Sequence, residues 1–386
     1  MKKDNFKEQG IYLDNAATSF PKPESVIYDM AKYMRENGAT SSRGAYQKAI
    51  AADKMVYEAR KAAAQLFHCP QTSSVIFTMN ITEALNLVLQ GTLKPGDHVV
   101  TSSLEHNSVW RCIKTLERDR SISITAVQAD AEGFTKPEDV EAAIQENTAL
   151  IVFNHASNVI GTIQPIHEIG DIAARYGIPF LVDSAQTAGV YPIDMQKDHI
   201  NLLAFTGHKG LLGPTGTGGL AINWSGEIRP LKQGGTGGDS AYEYQPDYLP
   251  NKFEAGTLNV VGIVGLRASL KFIQEETVEK IRQHEVDIIQ YAINRLETVE
   301  KLILYGSRQA EKRTGAISFN MKGASPEDVG FWLDRNYNIA VRTGLHCAPG
   351  VHRLIGTHAQ GTVRIGIGYW TTKEEIDYLV NALKEF

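Results

Sequence analysis

The sequence has few cysteines, no long apolar run and no excess of basic residues. Only three cysteines occur among 386 residues, Cys69, Cys112 and Cys347, and they are widely spaced. An odd, scattered set excludes a disulfide framework and a CxxC metal site and is typical of a reducing cytosol. No apolar stretch could span a bilayer, and the polar start MKKDNFKEQG lacks the apolar core of a signal peptide. We therefore expect a cytoplasmic protein with no membrane partner.

Charge is balanced along the chain. The formal net charge is -5, and acidic and basic residues are interspersed without a basic patch. This pattern makes nucleic acid and anionic membranes unlikely partners. A chain of this length, with 42% hydrophobic residues, can form two domains with sizeable cores.

Short apolar runs, bounded by turn residues, recur through the first part of the chain. The runs lie at 75–79, 98–103, 122–128, 149–157, 178–185, 200–207 and 218–223. Segments with helical periodicity separate many of them, which predicts an α/β fold with a mostly parallel seven-stranded sheet between helices. The last run, GGLAIN, follows a short connection and is predicted to be antiparallel.

The pattern changes near residue 260, where two long helical stretches precede short strands and further helices. We predict a large domain over residues 15–258 and a smaller α+β domain over residues 259–386. The N-terminal segment 1–14 should pack near the small domain, and the predicted helix at 24–38 should pack on it as well.

Polar residues follow the predicted strands at one edge of the sheet. They are Glu105, His106, Asn158, Asp183, Thr206, His208 and Lys209. Open parallel sheets bind ligands beyond the carboxyl ends of their strands. Taken alone, Asp183 is better explained as a helix cap and Lys209 as a solvated loop residue. The whole set is better explained as a binding site.

The residue types in this set suit pyridoxal phosphate. A desolvated lysine such as Lys209 can bond to an aldehyde cofactor, and an acid such as Asp183 can keep a pyridine nitrogen protonated. A helix starting after the strand at 75–79 offers Thr82 and its neighbour Ile81 for a phosphate. Thr206 and His208 can reach the same phosphate, and His106 is the candidate to stack on the ring.

The chain resembles the class V aminotransferase superfamily of fold-type I pyridoxal-phosphate enzymes and, within it, the group II cysteine desulfurases. The motifs that carry the resemblance are YLDNAAT, EHNS, NHASNVIGT, DSAQ, FTGHK, GPTG, KFEAGT, RTGLHCAPG and GTVRIGIG, in this order along nearly the whole chain. Several motifs in a fixed order are far more specific than any one of them.

The resemblance implies roles for several cofactor-binding residues. Lys209 would carry the cofactor, Asp183 would pair with its ring nitrogen and Gln186 would contact the ring oxygen. His106 would stack on the ring, and Asn158 would lie beside ring and substrate. In related dimers the threonine of FEAGT, here Thr257, reaches the phosphate of the partner subunit, which implies a homodimer.

Cys347 differs from the other two cysteines, which we interpret as small buried hydrophobes. RTGLHCAPG is bounded by Gly and Pro and is predicted to be an exposed loop, in which Arg342 and His346 could favour the thiolate. The motif resembles R-x-G-x-x-C of group II desulfurases, whose cysteine attacks the substrate sulfur and becomes a persulfide. Arg364 of TVRIG resembles the arginine that binds the substrate carboxylate, and Arg342 is a second candidate.

The resemblance implies removal of sulfur from L-cysteine, giving L-alanine and a persulfide on Cys347 for transfer to a sulfur-acceptor protein. Lys209 would move the α-proton, and His106 would act as acid or base near the sulfur. Selenocysteine lyase, cysteine-sulfinate lyase, another class V aminotransferase activity and a cofactor-free scaffold remain alternatives.

The sequence offers no metal site that we can predict. No standard zinc spacing is matched by the nearby candidate ligands His346, Cys347, His352 and His358.

The sequence departs from the group II pattern at two places. Tyr46 stands in SSRGAYQ where many members have histidine, and GIGYWTT replaces the commoner YNT ending. These departures bear on substrate preference and sulfur acceptor rather than on the cofactor.

Overall fold

A computed structural model describes residues 2–41, 44–238 and 241–386. Ser42 and Arg43 of the SSRGAYQ motif lie outside the described residues, whereas Tyr46 lies within them and is exposed. Within the described ranges, no helix combines the length and the apolar character needed to cross a membrane.

The larger sheet has the seven strands that the apolar runs predict. They are β2 (Val75–Thr78), β3 (His98–Ser102), β4 (Ser123–Val127), β5 (Thr148–Asn154), β6 (Phe180–Asp183), β7 (Leu202–Thr206) and β8 (Gly218–Ile222). Their spatial order is β2-β8-β7-β6-β5-β3-β4. Only β8 runs antiparallel to its neighbours, which confirms the prediction for GGLAIN.

Helices cover both faces of this sheet. They are α2 (Glu24–Glu36), α3 (Gln47–Leu66), α4 (Ile81–Thr92), α5 (Asn107–Arg120), α6 (Pro137–Ala142), α7 (Ile166–Tyr176) and α8 (Val260–Glu276). Successive strand residues point to opposite faces, so Ile151 enters one core and its neighbours Leu150 and Val152 enter the other. Burial on both sides explains why the strands are continuous apolar runs.

The second sheet is smaller and has the strands β9 (Leu302–Leu304), β10 (Ala316–Met321), β12 (Arg342–Gly344) and β13 (Thr362–Gly366). It is antiparallel, in the order β12-β13-β10-β9. The accompanying helices are α9 (Val278–Leu296), α10 (Pro326–Tyr337), α11 (Pro349–Leu354) and α12 (Lys373–Glu385). These elements have the α+β composition that the sequence predicts.

The N-terminal segment joins the small domain, as predicted. After helix α1 (Lys2–Gln9), strand β1 (Ile11–Tyr12) pairs in parallel with β11 (Ile339–Ala340). Ile11 and Leu13 are fully buried in the hydrophobic core that α9, α12 and the small sheet form.

Two predictions about packing need correction. Helix α2, expected on the small domain, packs on α8, and its Tyr33 enters the core of the large sheet. Helix α8 also belongs to that core, through residues such as Val264 and Leu270, although it follows the predicted boundary at residue 259. The reason is that α8 is apolar around most of its circumference, so it is buried between α2, α3 and the sheet.

Candidate active site

The carboxyl ends of β5, β6 and β7 form the floor of the candidate site. Asn154 and Asp183 are paired in register as the last residues of β5 and β6, and Thr206 ends β7. Lys209 follows Thr206 by a short turn. Three of the residues predicted to lie at this edge therefore do so, namely Asp183, Thr206 and Lys209, because parallel strands end on the same side of the sheet.

Asp183 is buried at this edge. One carboxylate oxygen, Oδ1, accepts a hydrogen bond of 2.9 Å from the backbone N–H of Ala185. Burial raises the pKa of Asp183, and this hydrogen bond and the charge of Lys209 oppose that rise. The carboxyl therefore needs a cationic partner to stay ionised, as a protonated ring nitrogen would provide.

The pKa of the Lys209 amine depends on its burial and on the charged residues near it. Burial lowers the pKa of its amine to about 8, Asp183 opposes the decrease, and Arg364 and Arg342 add to it. An amine with this pKa has a substantial neutral fraction near neutral pH, which is the form that reacts with an aldehyde.

His106 stands at the N-terminus of α5. Its Nδ1 accepts a hydrogen bond of 3.1 Å from the backbone N–H of Ser108, so the ring proton of the neutral form is on Nε2. Burial lowers the pKa of His106 to about 4, and the charge of Lys209 contributes. His106 is therefore neutral, with Nε2–H available as a donor.

The residues predicted to bind a phosphate differ in how far they are buried. Ile81 and Thr82 are the first two residues of α4, with Thr82 exposed at the helix N-terminus. Thr206 is buried, and its hydroxyl donates a hydrogen bond to the carbonyl of Thr217. His208 is half-buried, and its Nδ1 has no hydrogen-bond partner among the described residues. Thr257 is exposed.

Gln186 lies beside the N-terminal segment, and its Nε2 donates a hydrogen bond of 3.0 Å to the carbonyl of Ala16. Its side-chain oxygen is therefore the group left to face a ligand at this edge.

Arg364, in the middle of β13, is 2% exposed. Its guanidinium donates a hydrogen bond of 2.8 Å to the carbonyl of Asn158 and forms an ion pair of 3.0 Å with Asp14. Its Nε has no partner among the described residues. Arg342 stands opposite Arg364 in the register of β12 and β13, and it is exposed. Two cations therefore lie side by side, which suits an anionic ligand.

Cys347 is exposed, whereas Cys69 and Cys112 are buried, as predicted. The backbones of His346 and Cys347 both have positive φ, 47° and 58°, which is uncommon for residues with a Cβ. The carbonyl of Cys347 accepts a hydrogen bond of 2.8 Å from the backbone N–H of Asn107. This hydrogen bond holds the loop next to His106. Because positive φ costs free energy in residues with a Cβ, the surrounding structure must stabilise this turn.

Asn158 connects this loop to Arg364. Its side-chain Nδ2 donates a hydrogen bond of 2.6 Å to the carbonyl of His346, while its own carbonyl accepts from Arg364. The side-chain oxygen of Asn158 has no partner among the described residues. Asn158 thus links the cysteine loop to Arg364 through two hydrogen bonds.

Of the two residues expected to favour the Cys347 thiolate, Arg342 and His346, the second is not placed to do so as a cation. His346 is buried, its Nε2 contacts Thr362, and burial lowers its pKa to about 2. A neutral imidazole supplies no charge to a thiolate. The physical reason is that the His346 side chain turns into the small-domain core, away from solvent.

Two residues of the site received no role from the sequence. Asp14 pairs with Arg364, and Glu105 accepts hydrogen bonds from the hydroxyl of Ser102 and the backbone N–H of Asn154. Asp14 lies inside YLDNAAT, a motif that carries the resemblance, and Glu105 lies three residues after the end of β3. Their partners Arg364 and Asn154 are distant in sequence, so the positions of Asp14 and Glu105 were the main signals that the sequence offered.

Comparisons with known proteins place the chain in one family. The aminotransferase class-V family matches residues 11–379. A probable cysteine desulfurase of Methanothermobacter thermautotrophicus is 37% identical over 97% of this chain and 94% of its own. A cysteine desulfurase of Escherichia coli O157:H7 is 32% identical over 97% of this chain and 92% of its own.

Solved structures show the same similarity. The apo structure of a cysteine desulfurase from Thermococcus onnurineus NA1 superposes with a TM-score of 0.92 at 34% identity, covering 99% of this chain and 95% of the other. The cysteine desulfurase CsdA (S-sulfonic acid) of Escherichia coli gives a TM-score of 0.87 at 26% identity, covering 98% and 95%. The family match over residues 11–379 and the relatives that are similar over nearly the whole length show that this chain belongs to the aminotransferase class-V family.

Proposed function

We propose that the protein is a pyridoxal-phosphate-dependent cysteine desulfurase, which converts L-cysteine to L-alanine and leaves a persulfide on Cys347. The observation that carries the proposal is the exposed thiol of Cys347 on a loop bonded to Asn107 and Asn158, beside His106 and Arg364. A nucleophile, a donor and an anion-binding group are thereby brought to one edge of the sheet.

The residues present fit pyridoxal phosphate. Buried polar atoms with no partner among the described residues include Oδ1 of Asn158, Nδ1 of His208 and Nε of Arg364, and native proteins satisfy nearly all such atoms with a ligand or water. Lys209 would hold the aldehyde, Asp183 the ring nitrogen, Gln186 the ring oxygen and His106 the ring face. The N-terminus of α4, with Ile81 and Thr82, would hold the phosphate together with Thr206 and His208. When bound, the cofactor would store the electrons released from the substrate carbon.

Arg364 would bind the substrate carboxylate, with Arg342 and Asn158 beside it. Asp14 and the Asn158 carbonyl orient the guanidinium, while its Nε–H remains available for the substrate. A planar, pre-oriented donor set would favour one placement of the amino acid, next to the cysteine loop that Asn158 connects to Arg364.

Lys209 would take the α-proton as a neutral amine, and His106 would donate from Nε2 near the sulfur. The Cys347 thiolate attacks the substrate sulfur, forming an S–S bond as the C–S bond breaks. The electron pair of the C–S bond stays with the substrate carbon, which takes a proton to become the methyl group of alanine. The Cys347 thiol and cysteine are thus converted to a persulfide and alanine, with no other oxidant or reductant.

We further propose a cytoplasmic homodimer that passes its persulfide sulfur to an acceptor protein. The exposure of Thr257 supports the dimer, because an exposed hydroxyl can reach the phosphate of a partner subunit. The exposure of Cys347 supports the acceptor, because a persulfide must be reachable to be transferred.

The test is to incubate the purified protein with L-cysteine, with and without reductant, and to measure alanine and sulfide. We expect equal amounts of both products with reductant, and about one protein-bound sulfur per chain without it. Pyruvate and ammonia, or transfer of the amino group to a keto acid, would instead identify a lyase or a transaminase. Consumption of selenocysteine or cysteine sulfinate, but not of cysteine, would favour those lyases.

A further inference from the structure

The buried side chain of His346 anchors the cysteine loop to the small sheet. Its Nε2 lies 3.2 Å from the carbonyl oxygen and 3.1 Å from the hydroxyl oxygen of Thr362, the first residue of β13. A carbonyl oxygen only accepts hydrogen bonds, so Nε2 carries the ring proton and donates it. The ring of His346 is therefore a donor to β13 and not a cation beside the thiol.

The hydrogen bonds continue from Thr362 through the small sheet. The Thr362 hydroxyl donates to the hydroxyl of Ser318 on β10 at 3.1 Å, and Ser318 donates to the carbonyl of Val159 at 2.7 Å. Val159 follows Asn158, whose side-chain Nδ2 donates to the carbonyl of His346. The loop is therefore held to the same segment twice, once by the backbone of His346 and once, through two buried hydroxyls, by its ring.

The same elements hold Arg364. It lies two residues after Thr362 on β13, so both side chains are on one face of the sheet. Its guanidinium donates to the carbonyl of Asn158. The loop that carries Cys347 and the arginine that would bind the substrate carboxylate are thus parts of one hydrogen-bonded unit. A shift of His346 would change the distance between the Cys347 sulfur and a substrate held by that arginine.

The backbone conformation of the loop makes such an anchor necessary. His346 and Cys347 are consecutive residues with positive φ, which costs free energy in residues with a Cβ. Hydrogen bonds from Asn107 and Asn158 hold the carbonyls of the two residues. Of the two side chains, only that of His346 is buried, since Cys347 is exposed. The His346 ring is therefore the side chain through which the small sheet can hold the turn.

We propose that His346 is a positioning residue, whose Nε2–H hydrogen bond to Thr362 holds the Cys347 thiol within reach of the substrate sulfur. The proposal rests on the proposed function, in which Cys347 attacks that sulfur. Removal of the ring should slow persulfide formation without weakening cysteine binding, because Arg364 and Asn158 remain in place. A displacement of about 1 Å can slow such a step by about 100-fold.

The experiment compares three variants of His346 in the full-length protein loaded with cofactor. His346→Gln keeps a donor, because its amide nitrogen is as many bonds from Cβ as Nε2 of histidine. His346→Asn is too short to keep it, although asparagine tolerates positive φ better than most residues. His346→Ala removes the ring altogether.

The rate of persulfide formation on Cys347 is measured by rapid quenching after mixing with L-cysteine. We expect a decrease of about 100-fold in His346→Ala and His346→Asn and of less than about fivefold in His346→Gln, with KM within about twofold in all three. If His346→Asn matches the wild type and His346→Gln does not, the residue only permits the backbone turn, and the proposal is wrong.

A second measurement follows the loop itself and needs no turnover. The backbone N–H of Asn107 donates to the Cys347 carbonyl, so its hydrogen exchange reports how often the loop opens. Exchange should be faster in His346→Ala and His346→Asn and close to the wild-type rate in His346→Gln. Equal exchange in all four proteins would contradict the proposal. If exchange behaves as expected but the wild type forms no alanine from cysteine, the proposed function fails while the loop is still anchored by His346.

Two further variants make the result specific. His358→Ala makes the same change at an exposed position after α11 and should leave both measurements unchanged. Thr362→Val removes the hydroxyl but leaves the carbonyl, so it should give a smaller change in the same direction, and its effect should not add to that of His346→Ala. Additive effects, or unchanged exchange at Asn107 in Thr362→Val, would contradict the proposal, and the second comparison holds even if the His346 variants do not fold.

Discussion

Arg364 and Asp14 form a partly buried ion pair, with 3.0 Å between the guanidinium Nη2 and the carboxylate Oδ1. Arg364 belongs to the small sheet, and Asp14 lies between β1 and α2, where the chain passes from the small domain to the large one. The pair therefore fixes the orientation of a cation that faces the candidate site.

Replacement of Arg364 by alanine should weaken cysteine binding far more than cofactor binding. Loss of one member of a desolvated charge pair typically costs about 2–5 kcal/mol, which corresponds to an increase in KM of about 30-fold or more. Steady-state kinetics and cofactor titration check this. Arg342→Ala is the comparison, because Arg342 is exposed and should contribute less. An unchanged KM in Arg364→Ala, with an increase in Arg342→Ala, would assign carboxylate binding to Arg342.

Lys209→Ala should abolish the absorption band of the lysine-bound cofactor, because no other described lysine lies at the ends of β6 and β7. Lys22→Ala is a matched control, since burial also lowers the pKa of Lys22 to about 8, but its amine donates to Ser19 and the His208 carbonyl. The control should keep the band. A band that persists in Lys209→Ala would show that another group carries the cofactor.

Cys347→Ala should keep cofactor binding and cysteine binding but release no alanine, because the sulfur then has no nucleophile to accept it. Mass spectrometry of the wild type after mixing with cysteine should find added sulfur on the Cys347 peptide and not on the buried Cys69 or Cys112. Cys112→Ala should behave like the wild type in turnover. Wild-type alanine production by Cys347→Ala would rule out the persulfide step.

Asp183 and its neighbours were predictable from the sequence for a physical reason. Parallel strands buried on both faces must be continuous apolar runs, so their ends are visible as the first polar residues that follow. The same signal located His106 and Lys209. The exposure of Cys347 followed from glycine and proline on both sides of its loop.

Contacts between residues that are far apart in sequence could not be predicted in this way. Asp14 and Arg364 are separated by 350 positions, and nothing in either local pattern identifies the other. His346 was expected to favour the Cys347 thiolate, but its side chain is buried beside Thr362. Glu285 follows Arg282 at a spacing typical of a surface helix pair, and only the packing shows that both are buried.

Arg60→Ala should strongly destabilise the protein. Arg60 of α3 and Glu254 form two parallel hydrogen bonds of 2.7 and 2.8 Å, and both side chains are buried. Removing one partner of a buried pair typically costs about 3–5 kcal/mol, because the other charge is left uncompensated. Chemical denaturation measures the loss. Lys54→Ala, in the exposed 3.9 Å pair of Lys54 and Glu58, should change the free energy of unfolding by less than about 1 kcal/mol.

The same pair has a consequence for the site, because Glu254 belongs to the KFEAGT motif that ends at Thr257. An Arg60 variant that folds should therefore bind cofactor more weakly as well. If the variant is less stable but binds the cofactor with unchanged affinity, the Arg60–Glu254 pair has a structural role only.

Glu105→Gln should flatten the pH dependence of stability. Burial raises the pKa of Glu105 from 4.5 to about 8, so the folded protein binds a proton that the unfolded chain releases. This contribution is complete below about pH 4.5 and is lost as the pH rises towards about 8. Relative to the wild type, Glu105→Gln should gain stability over that range, whereas the exposed Glu146→Gln should not. A constant difference between wild type and Glu105→Gln at all pH values would show that Glu105 does not titrate there.

Strand β1 has a consequence for dissecting the protein into fragments. Ile11 and Leu13 fill the same core as α9 and α12, so the small domain is completed by the first residues of the chain and by the last hundred. A peptide beginning at residue 259 would expose that core and leave the β11 edge open to pairing with other chains. Residues 9–14, joined to the start of α9 by a short glycine-rich connection, would restore the missing strand. The small domain can therefore be separated from the large one by joining the N-terminal strand to the C-terminal elements, and not by cutting the chain once.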